Sequence, residues 1–333
     1  MRFLYKKTHF FYFFAYIFLG DTIMIQRFSM KKIGKYTVLL FIVFLFYLFP
    51  NKVNYDLDKE VSKDISINYH DIFLIDKNNY IAKTNIQVRS LKADSLIDEL
   101  IETMTIDGKY QDKIPNGFRG VLPSDAKLLG KKIDNNIATL NFNSNLFDVS
   151  NELEEKELEA IIYTITSIEK IDTVKIQIEG KELTKLPKSG KLLPNELKRE
   201  YGINKIYNID SIKDITKVII YYANKNNNDD IYYVPVTKYI NSKDDKIKII
   251  IDELTGKFSF ESNLMSYLNY NTKLLDYSLN ENEIDLNFNE YLFDNTENKK
   301  VLEEVIYSIL YSVKDNYDID VINFFVNNEK IKY

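Results

Sequence analysis

The sequence has no cysteine and no tryptophan, and only two histidines among its 333 residues. The lack of cysteine excludes disulfides, thiolate zinc sites, thiol nucleophiles and a lipid-modified cysteine anchor. His9 and His70 are too few for a histidine-ligated metal cluster, and no motif around His70 indicates a Ser-His-Asp arrangement. The chain also lacks a glycine-rich phosphate loop. This composition favours a globular protein that is not an enzyme and has no metal site or cofactor.

An uncharged hydrophobic run lies near the N-terminus. Residues 36–49 read YTVLLFIVFLFYLF, and Arg27 and three lysines precede them. The stretch between Lys35 and Lys52 gives roughly 24 Å of helix, and the flanking side chains can extend to the membrane surface. We expect a single-pass transmembrane helix at 36–49, with residues 1–50 as an N-terminal extension and membrane anchor.

The charges on either side of this run predict its orientation. Positive residues precede it and few follow, which favours a cytoplasmic N-terminus and an extracytoplasmic body at the cell membrane. A cleaved signal peptide is the alternative, but residues 50–55 offer no pair of small residues for cleavage. Met1, Met24 and Met30 are all candidate start residues.

The chain after the anchor is acidic. Residues 51–333 contain 37 basic and 48 acidic side chains, a formal net charge of −11. A surface of this charge is not suited to neutralising phosphate groups, so nucleic acid is not expected as a partner.

The body contains an internal repeat. Residues 127–148 and 273–294 are identical at 11 of 22 positions without a gap. In both copies the alternation of apolar and polar residues predicts a β-hairpin, which an amphipathic helix and a closing strand follow. A helix and two further strands precede each hairpin, although residues 243–254 in the second copy could also form a strand.

The order in each copy is α-β-β-α-β, preceded by an extra β-hairpin. This order predicts an α+β fold of two tandem homologous domains, each a mixed sheet with helices on one face. The domains are assigned to residues 69–185 and 211–333, with a stalk at 51–68 and a linker at 186–210 that includes a short helix near 196–201. Within the helices, Ile-Tyr-Thr-Ile and Ile-Tyr-Ser-Ile pair Tyr163 with Tyr307.

Several segments of the first copy resemble the GerMN domain of GerM-like sporulation and spore germination proteins. They are the run 122–129 (LPSDAKLL), the strand 137–142 (IATLNF), the helix 158–165 and the strand 174–180 (VKIQIEG). Two tandem copies cover the whole body. The second copy is more divergent, since residues 263–267 (NLMSY) replace the proline-containing approach to its Lys-Leu-Leu strand.

The resemblance implies an exported, membrane-attached protein of an endospore-forming bacterium. The domain is similar to the ring-building motif of proteins that assemble between mother cell and forespore, which implies a scaffold role and no chemistry. Family members are often lipoproteins held by a lipidated cysteine. Because this chain has no cysteine, the helix at 36–49 is expected to provide the anchor.

Two sets of side chains are candidates for an interaction surface. The first lies on the polar faces of the repeated strands and consists of Asn141, Asn143, Asn287 and Asn289; these could bind a glycan or a subunit, or simply face solvent. The second lies on the two strands that open the second copy and consists of Tyr221, Tyr222, Tyr232 and Tyr233. Tyrosine suits interfaces, but its β-propensity is an equal explanation. The acidic residues Glu154, Glu155 and Glu157 are expected on a solvated helix surface.

The favoured function is a non-enzymatic, membrane-anchored scaffold of sporulation and spore germination. Its partners would be other sporulation membrane-complex proteins at the mother cell–forespore interface, or further copies of the chain in a homo-oligomer. The alternative is a peptidoglycan-binding module that assists a wall hydrolase.

Overall fold

The computed structural model describes residues 68–256, 264–295 and 299–332. The predicted transmembrane helix at 36–49 and the stalk up to residue 67 lie outside these residues. Among the helices that are described, none has the length and hydrophobicity needed to cross a bilayer.

Each half of the body opens with a long antiparallel hairpin. The first consists of β1 (Asn68–Asp76) and β2 (Ile81–Val88), and the second of β9 (Ile215–Lys225) and β10 (Ile231–Asn241). The hairpins join because β2 pairs antiparallel with β10 at Lys83 and Tyr233. The short strand β3 (Phe118–Arg119) adds to β1, and β8 (Ile206–Asn208) adds parallel to β10. One six-stranded sheet therefore extends across both halves.

A smaller four-stranded sheet follows each hairpin. In the first half its order is β4 (Leu128–Asp134), β5 (Ile137–Phe142), β6 (Thr173–Ile178) and β7 (Lys181–Glu182). In the second half the order is β11 (Leu274–Asn280), β12 (Glu283–Phe288), β13 (Val321–Val326) and β14 (Glu329–Lys330). In both sheets the second and third strands are parallel, and a helix makes the crossover between them.

The structure describes four α-helices. They are α1 (Ala93–Met104) and α2 (Asn151–Ile165) in the first half, and α3 (Lys246–Thr255) and α4 (Glu303–Lys314) in the second. The predicted α+β class and the order α-β-β-α-β are confirmed, and the ambiguous segment near 243–254 is helical. The hairpins differ from the expectation, since they join in one sheet that both halves share and are not part of the mixed four-stranded sheet of each domain.

The alternation in the repeated strands has the predicted cause. Ala138, Leu140 and Phe142 of β5 are fully buried, while the residues between them are half-buried. Ile284, Leu286 and Phe288 repeat the buried face in β12. Burial of one strand face against helices accounts for the period of two.

The contacts between helices and hairpins correct one predicted match. Thr164 Oγ1 in α2 accepts the backbone N–H of Phe73 at 3.0 Å, and Ser312 Oγ in α4 accepts that of Tyr221 at 2.8 Å. Tyr163 therefore corresponds to Tyr311, and the predicted pairing with Tyr307 is wrong by one helical turn. The same bonds occupy part of the outer edges of β1 and β9, and β3 and Met265 pair with further positions of these edges.

The segment between the two copies is packed against the body. Its leucines Leu186, Leu193 and Leu197 are buried, and so is Ile203. The short helix predicted near 196–201 is a single 3-10 turn at Arg199–Tyr201. Residues 199–208 run from this turn to β8, which pairs with β10 of the shared sheet.

Candidate functional site

The asparagines Asn143 and Asn289 hold the chain at the start of each repeated hairpin. Asn143 Oδ1 accepts the backbone N–H of Lys127 at 2.9 Å, and its Nδ2 donates to the carbonyl of Asp125 at 2.8 Å. Asn289 Oδ1 accepts the N–H of Lys273 at 3.0 Å in the same way. Both side chains therefore use their hydrogen-bonding groups inside the fold.

The other two asparagines support the turns that follow the third strand of each small sheet. Asn141 Oδ1 accepts the N–H of Gly180 at 2.8 Å, and Asn287 Oδ1 accepts that of Asn328 at 3.0 Å. Gly180 and Asn328 have φ angles of 78° and 68°, and the bonds fix these left-handed turns. Ligand binding by the four asparagines stays a prediction, while their contacts give them a structural role.

Most of the candidate tyrosines are core residues. Tyr221 and Tyr222 are 1% exposed and Tyr232 is 5% exposed, so the expectation of an exposed surface is wrong for these three. Tyr221 Oη donates to Asp315 Oδ2 at 2.6 Å. Burial is the main reason that the pKa of Tyr221 lies well above its ordinary value, and Asp315 adds to it. Tyr233 is half-buried and borders a surface groove.

Arg199 connects the ends of the two crossover helices. Its Nη1 lies 2.6 Å from Asp315 Oδ1 after α4, and its Nε donates to Thr166 Oγ1 after α2 at 3.1 Å. Tyr163 Oη donates to the carbonyl of Arg199 at 3.1 Å. Because Asp315 also accepts the Tyr221 hydroxyl, this largely buried carboxylate is fully engaged, and the two halves are held at a defined junction.

Of the three acidic residues of α2 predicted on a solvated surface, Glu154 and Glu157 are buried and Glu155 is half-buried. Glu154 is fully buried, and its carboxylate accepts the backbone N–H groups of Lys188 and Ser189. Glu157 is also fully buried, and neither of its carboxyl oxygens has a hydrogen-bond partner among the described residues. Burial, with a smaller contribution from Glu154, raises the pKa of Glu157 to about 9. Its carboxyl group is therefore neutral at pH 7, which argues against a role as general base.

A groove with three tyrosines, which we call the tyrosine groove, lies where β2 and β10 diverge below α4. It has a volume of about 600 Å³ and is lined by Tyr233, Tyr307, Tyr311, Asn85, Ile231, Lys300, Leu302, Glu303 and Glu304. The Tyr233 ring centroid lies 6.0 Å from that of Tyr307 and 5.3 Å from that of Tyr311. Tyr307 is 40% exposed. Aromatic faces beside carboxylates suit a cationic group.

The sequence reasoning identified only Tyr233 of these three tyrosines. Tyr307 and Tyr311 lie four residues apart on α4, a spacing that places them on one face, and this was the available signal. Lys83 of β2 also contributes, since its Nζ lies 4.3 Å from the centre of the Tyr311 ring. Burial, with smaller effects of Asp71 and Tyr307, raises the pKa of Tyr311 to about 12, so its phenol is neutral at physiological pH.

Comparison with known proteins finds the same duplication. The sequence model of the family described as "Germane: Sporulation and spore germination" matches residues 71–184 and 219–332. The chain belongs to the Germane family. The match confirms the resemblance that the motifs of the first copy predicted, and it extends to the more divergent second copy.

Two matches to this Germane chain, one in sequence and one in structure, come from Bacillus subtilis. The spore germination protein GerM of strain 168 is 30% identical over 266 residues, which are 78% of this chain and 71% of that protein. The solved structure of the tandem GerMN domains of the sporulation protein GerM superimposes with a TM-score of 0.72 at 28% identity, over 79% of this chain and 92% of that one. Both Germane repeats therefore share their arrangement with a sporulation protein.

Proposed function

We propose that this Germane chain is a non-enzymatic scaffold that acts in sporulation and spore germination. The observation that carries the proposal is the presence of two Germane repeats, of a family described by sporulation and spore germination, in one chain. Their fusion through a shared sheet and the Arg199 junction supports a rigid body that presents surfaces to other proteins.

The scaffold is proposed to be held at the cell membrane by residues 36–49, with the acidic body on the extracytoplasmic side. Its partners are other membrane-complex proteins of the mother cell–forespore interface, and assembly with further copies of itself is included. The net charge of −11 on residues 51–333 supports protein partners over nucleic acid.

Deletion of the gene in the source organism tests the proposal. We expect fewer heat-resistant spores or slower germination, restored by the full chain and not by a chain whose residues 36–49 are replaced with a polar sequence. Normal spore formation and germination in the deletion strain would refute the proposed role.

Two further measurements separate the scaffold from other functions. Glu155→Gln should restore spore formation as well as the wild-type chain, because the scaffold uses no carboxylate chemistry; loss of function with an unchanged stability would favour an enzyme. Sedimentation of the full chain with purified wall sacculi would favour the peptidoglycan-binding alternative.

A further inference from the structure

The two hairpins of the shared sheet are related by an approximate twofold axis. Phe73 of β1 and Tyr221 of β9 are equivalent through their bonds to α2 and α4, and they pair with Lys83 of β2 and Pro235 of β10. Across the seam, Lys83 pairs with Tyr233. The twofold relation maps this pair onto Pro235 and Ile81.

One side of the seam is filled by the segment between the repeats. The Asn204 carboxamide lies between the two strands, where its Nδ2 donates to the carbonyls of Ile81 at 2.7 Å and Pro235 at 2.8 Å. The N–H of Thr237 then donates to the carbonyl of Ile203 at 2.8 Å, and β8 continues parallel to residues 238–240 of β10. The connecting segment thereby adds one strand to the sheet at the edge of β10.

The same segment places a lysine against α2. Lys205 Nζ lies 2.7 Å from Glu155 Oε1 and 2.6 Å from Glu159 Oε1, and 3.9 Å from the centre of the Tyr201 ring. The side chain of Lys205 is only 8% exposed. The filled side thus shows what this architecture binds: an extended strand whose cation is directed to the carboxylates of the crossover helix.

The equivalent edge on the other side of the seam carries no strand among the described residues. Asn85 of β2 corresponds to Thr237, and residues 86–88 correspond to 238–240. Because Lys83 directs its N–H and C=O toward β10, Asn85 and Gln87 direct theirs to the same edge, beyond the end of the pairing. Lys113 Nζ donates to the Gln87 carbonyl at 3.0 Å. Asn85 pairs with Asp71 of β1 on one side, and no described strand pairs with it on this edge.

The side chains of α4 complete the comparison. The equivalence of Thr164 and Ser312 places Glu303 where α2 has Glu155, and Tyr307 where α2 has Glu159. Glu303 and Tyr307 are exposed in the tyrosine groove, next to Glu304. The groove is therefore the counterpart of the filled site. It keeps one carboxylate, Glu303 in place of Glu155, and it has the aromatic ring of Tyr307 in place of Glu159.

We propose that the tyrosine groove binds an extended segment of another exported protein, which adds a strand at Asn85–Val88 and directs a lysine or arginine to Glu303 and the exposed Tyr307 ring. The proposal rests on the scaffold function and names the chemistry of its partner. Backbone pairing supplies affinity in strand addition, and the cation supplies specificity through charge-assisted bonds and the ring faces.

The probe for this site is a synthetic, fluorescently labelled peptide that copies residues 201–209 (YGINKIYNI). Binding to the full-length chain in detergent is followed by fluorescence anisotropy. We expect saturable binding with lysine or arginine at the fifth peptide position, and at least about tenfold weaker binding with glutamate there, because one charge-assisted contact is lost. N-methylation of alternate peptide nitrogens should weaken binding as well, since it removes strand pairing.

Matched variants locate the binding. Glu303→Lys changes an exposed residue of the groove and should weaken binding of the lysine peptide at least about tenfold, which corresponds to roughly 1.4 kcal/mol. Glu281→Lys makes the same charge change at the exposed β11–β12 turn and should leave the affinity unchanged. Unchanged circular dichroism and unfolding midpoints verify that both variants fold.

Three outcomes would overturn the proposal. The first is that neither basic peptide binds saturably, and the second is that the peptide binds equally well to wild type and Glu303→Lys. The third is self-association of the chain without peptide that Tyr307→Ala abolishes, because this result would assign the groove to a second copy. Normal spore formation by the deletion strain together with groove-specific peptide binding would refute the scaffold alone. Failed peptide binding with a sporulation defect in that strain would refute the groove alone.

Discussion

Replacement of Glu157 by glutamine should change how the stability of the protein depends on pH. The buried carboxyl group has a pKa of about 9 in the folded state, against 4.5 for an unperturbed group. Between these values the folded chain keeps a proton that the unfolded chain has released. The stabilising effect of this proton is complete below the unfolded pKa and is lost as the pH rises toward 9.

The magnitude follows from the pKa difference. Each pH unit between 4.5 and 9 lowers the free energy of unfolding of the wild type by about 1.4 kcal/mol through this group, which amounts to about 3 kcal/mol at pH 7. Glutamine has nearly the same size but does not ionise. The free energy of unfolding of Glu157→Gln, relative to wild type, should therefore rise by about 1.4 kcal/mol per pH unit over this range.

Urea unfolding followed by far-ultraviolet circular dichroism at a series of pH values measures this difference. The matched control is Glu102→Gln, the same exchange on the exposed face of α1. Glu157→Val provides a second test of the same pH dependence of the free energy of unfolding. Valine does not ionise, and Val305 occupies the equivalent buried position in the second repeat. Parallel stability curves for wild type and Glu157→Gln between pH 5 and 8 would refute the reasoning.

Three other substitutions test the fold and its junction by urea unfolding. Arg199→Ala leaves the largely buried Asp315 without its ion pair and should lower the free energy of unfolding by about 3 kcal/mol. The control Lys170→Ala, at an exposed position, should change it by less than about 0.5 kcal/mol. Similar values for both variants would contradict a stabilising role of the Arg199 junction. Asn143→Ala removes two hydrogen bonds and should cost about 1–2 kcal/mol, against almost no change for Asn228→Ala on an exposed turn, and an unchanged stability would argue for a ligand-binding role instead. Ser312→Ala leaves the backbone N–H of Tyr221 unpaired and should lower the free energy of unfolding by about 1–3 kcal/mol. An unchanged stability would contradict the bond between α4 and β9 on which the match of the two repeats rests.

The repeated hairpins and crossover helices could be predicted because their signals are local. The alternation of Ala138, Leu140 and Phe142 depends only on which face of one strand is buried. The pairing of β2 with β10 has no such signal, since periodicity indicates the buried face of a strand and says nothing about which strand lies at its edge. The shared sheet was therefore missed.

The errors within the site have similar causes. The match of Tyr163 with Tyr307 followed an identity of three residues in four, and a shift of one helical turn keeps the same face, so only the bond between Ser312 and Tyr221 reveals it. Glu154 and Glu157 were assigned to solvent because charged residues rarely lie in cores. The segment after Leu186 has no periodic stripe, because Leu193 and Leu197 are buried singly while Leu192 is exposed.

The position of β8 has a consequence for stoichiometry. A duplicated body with an approximate twofold axis would offer two equal recognition sites, but the single connecting segment can enter only one of them. The connecting segment therefore leaves the duplicated body with a single binding site. Each chain binds one basic strand and cannot cross-link two partner molecules.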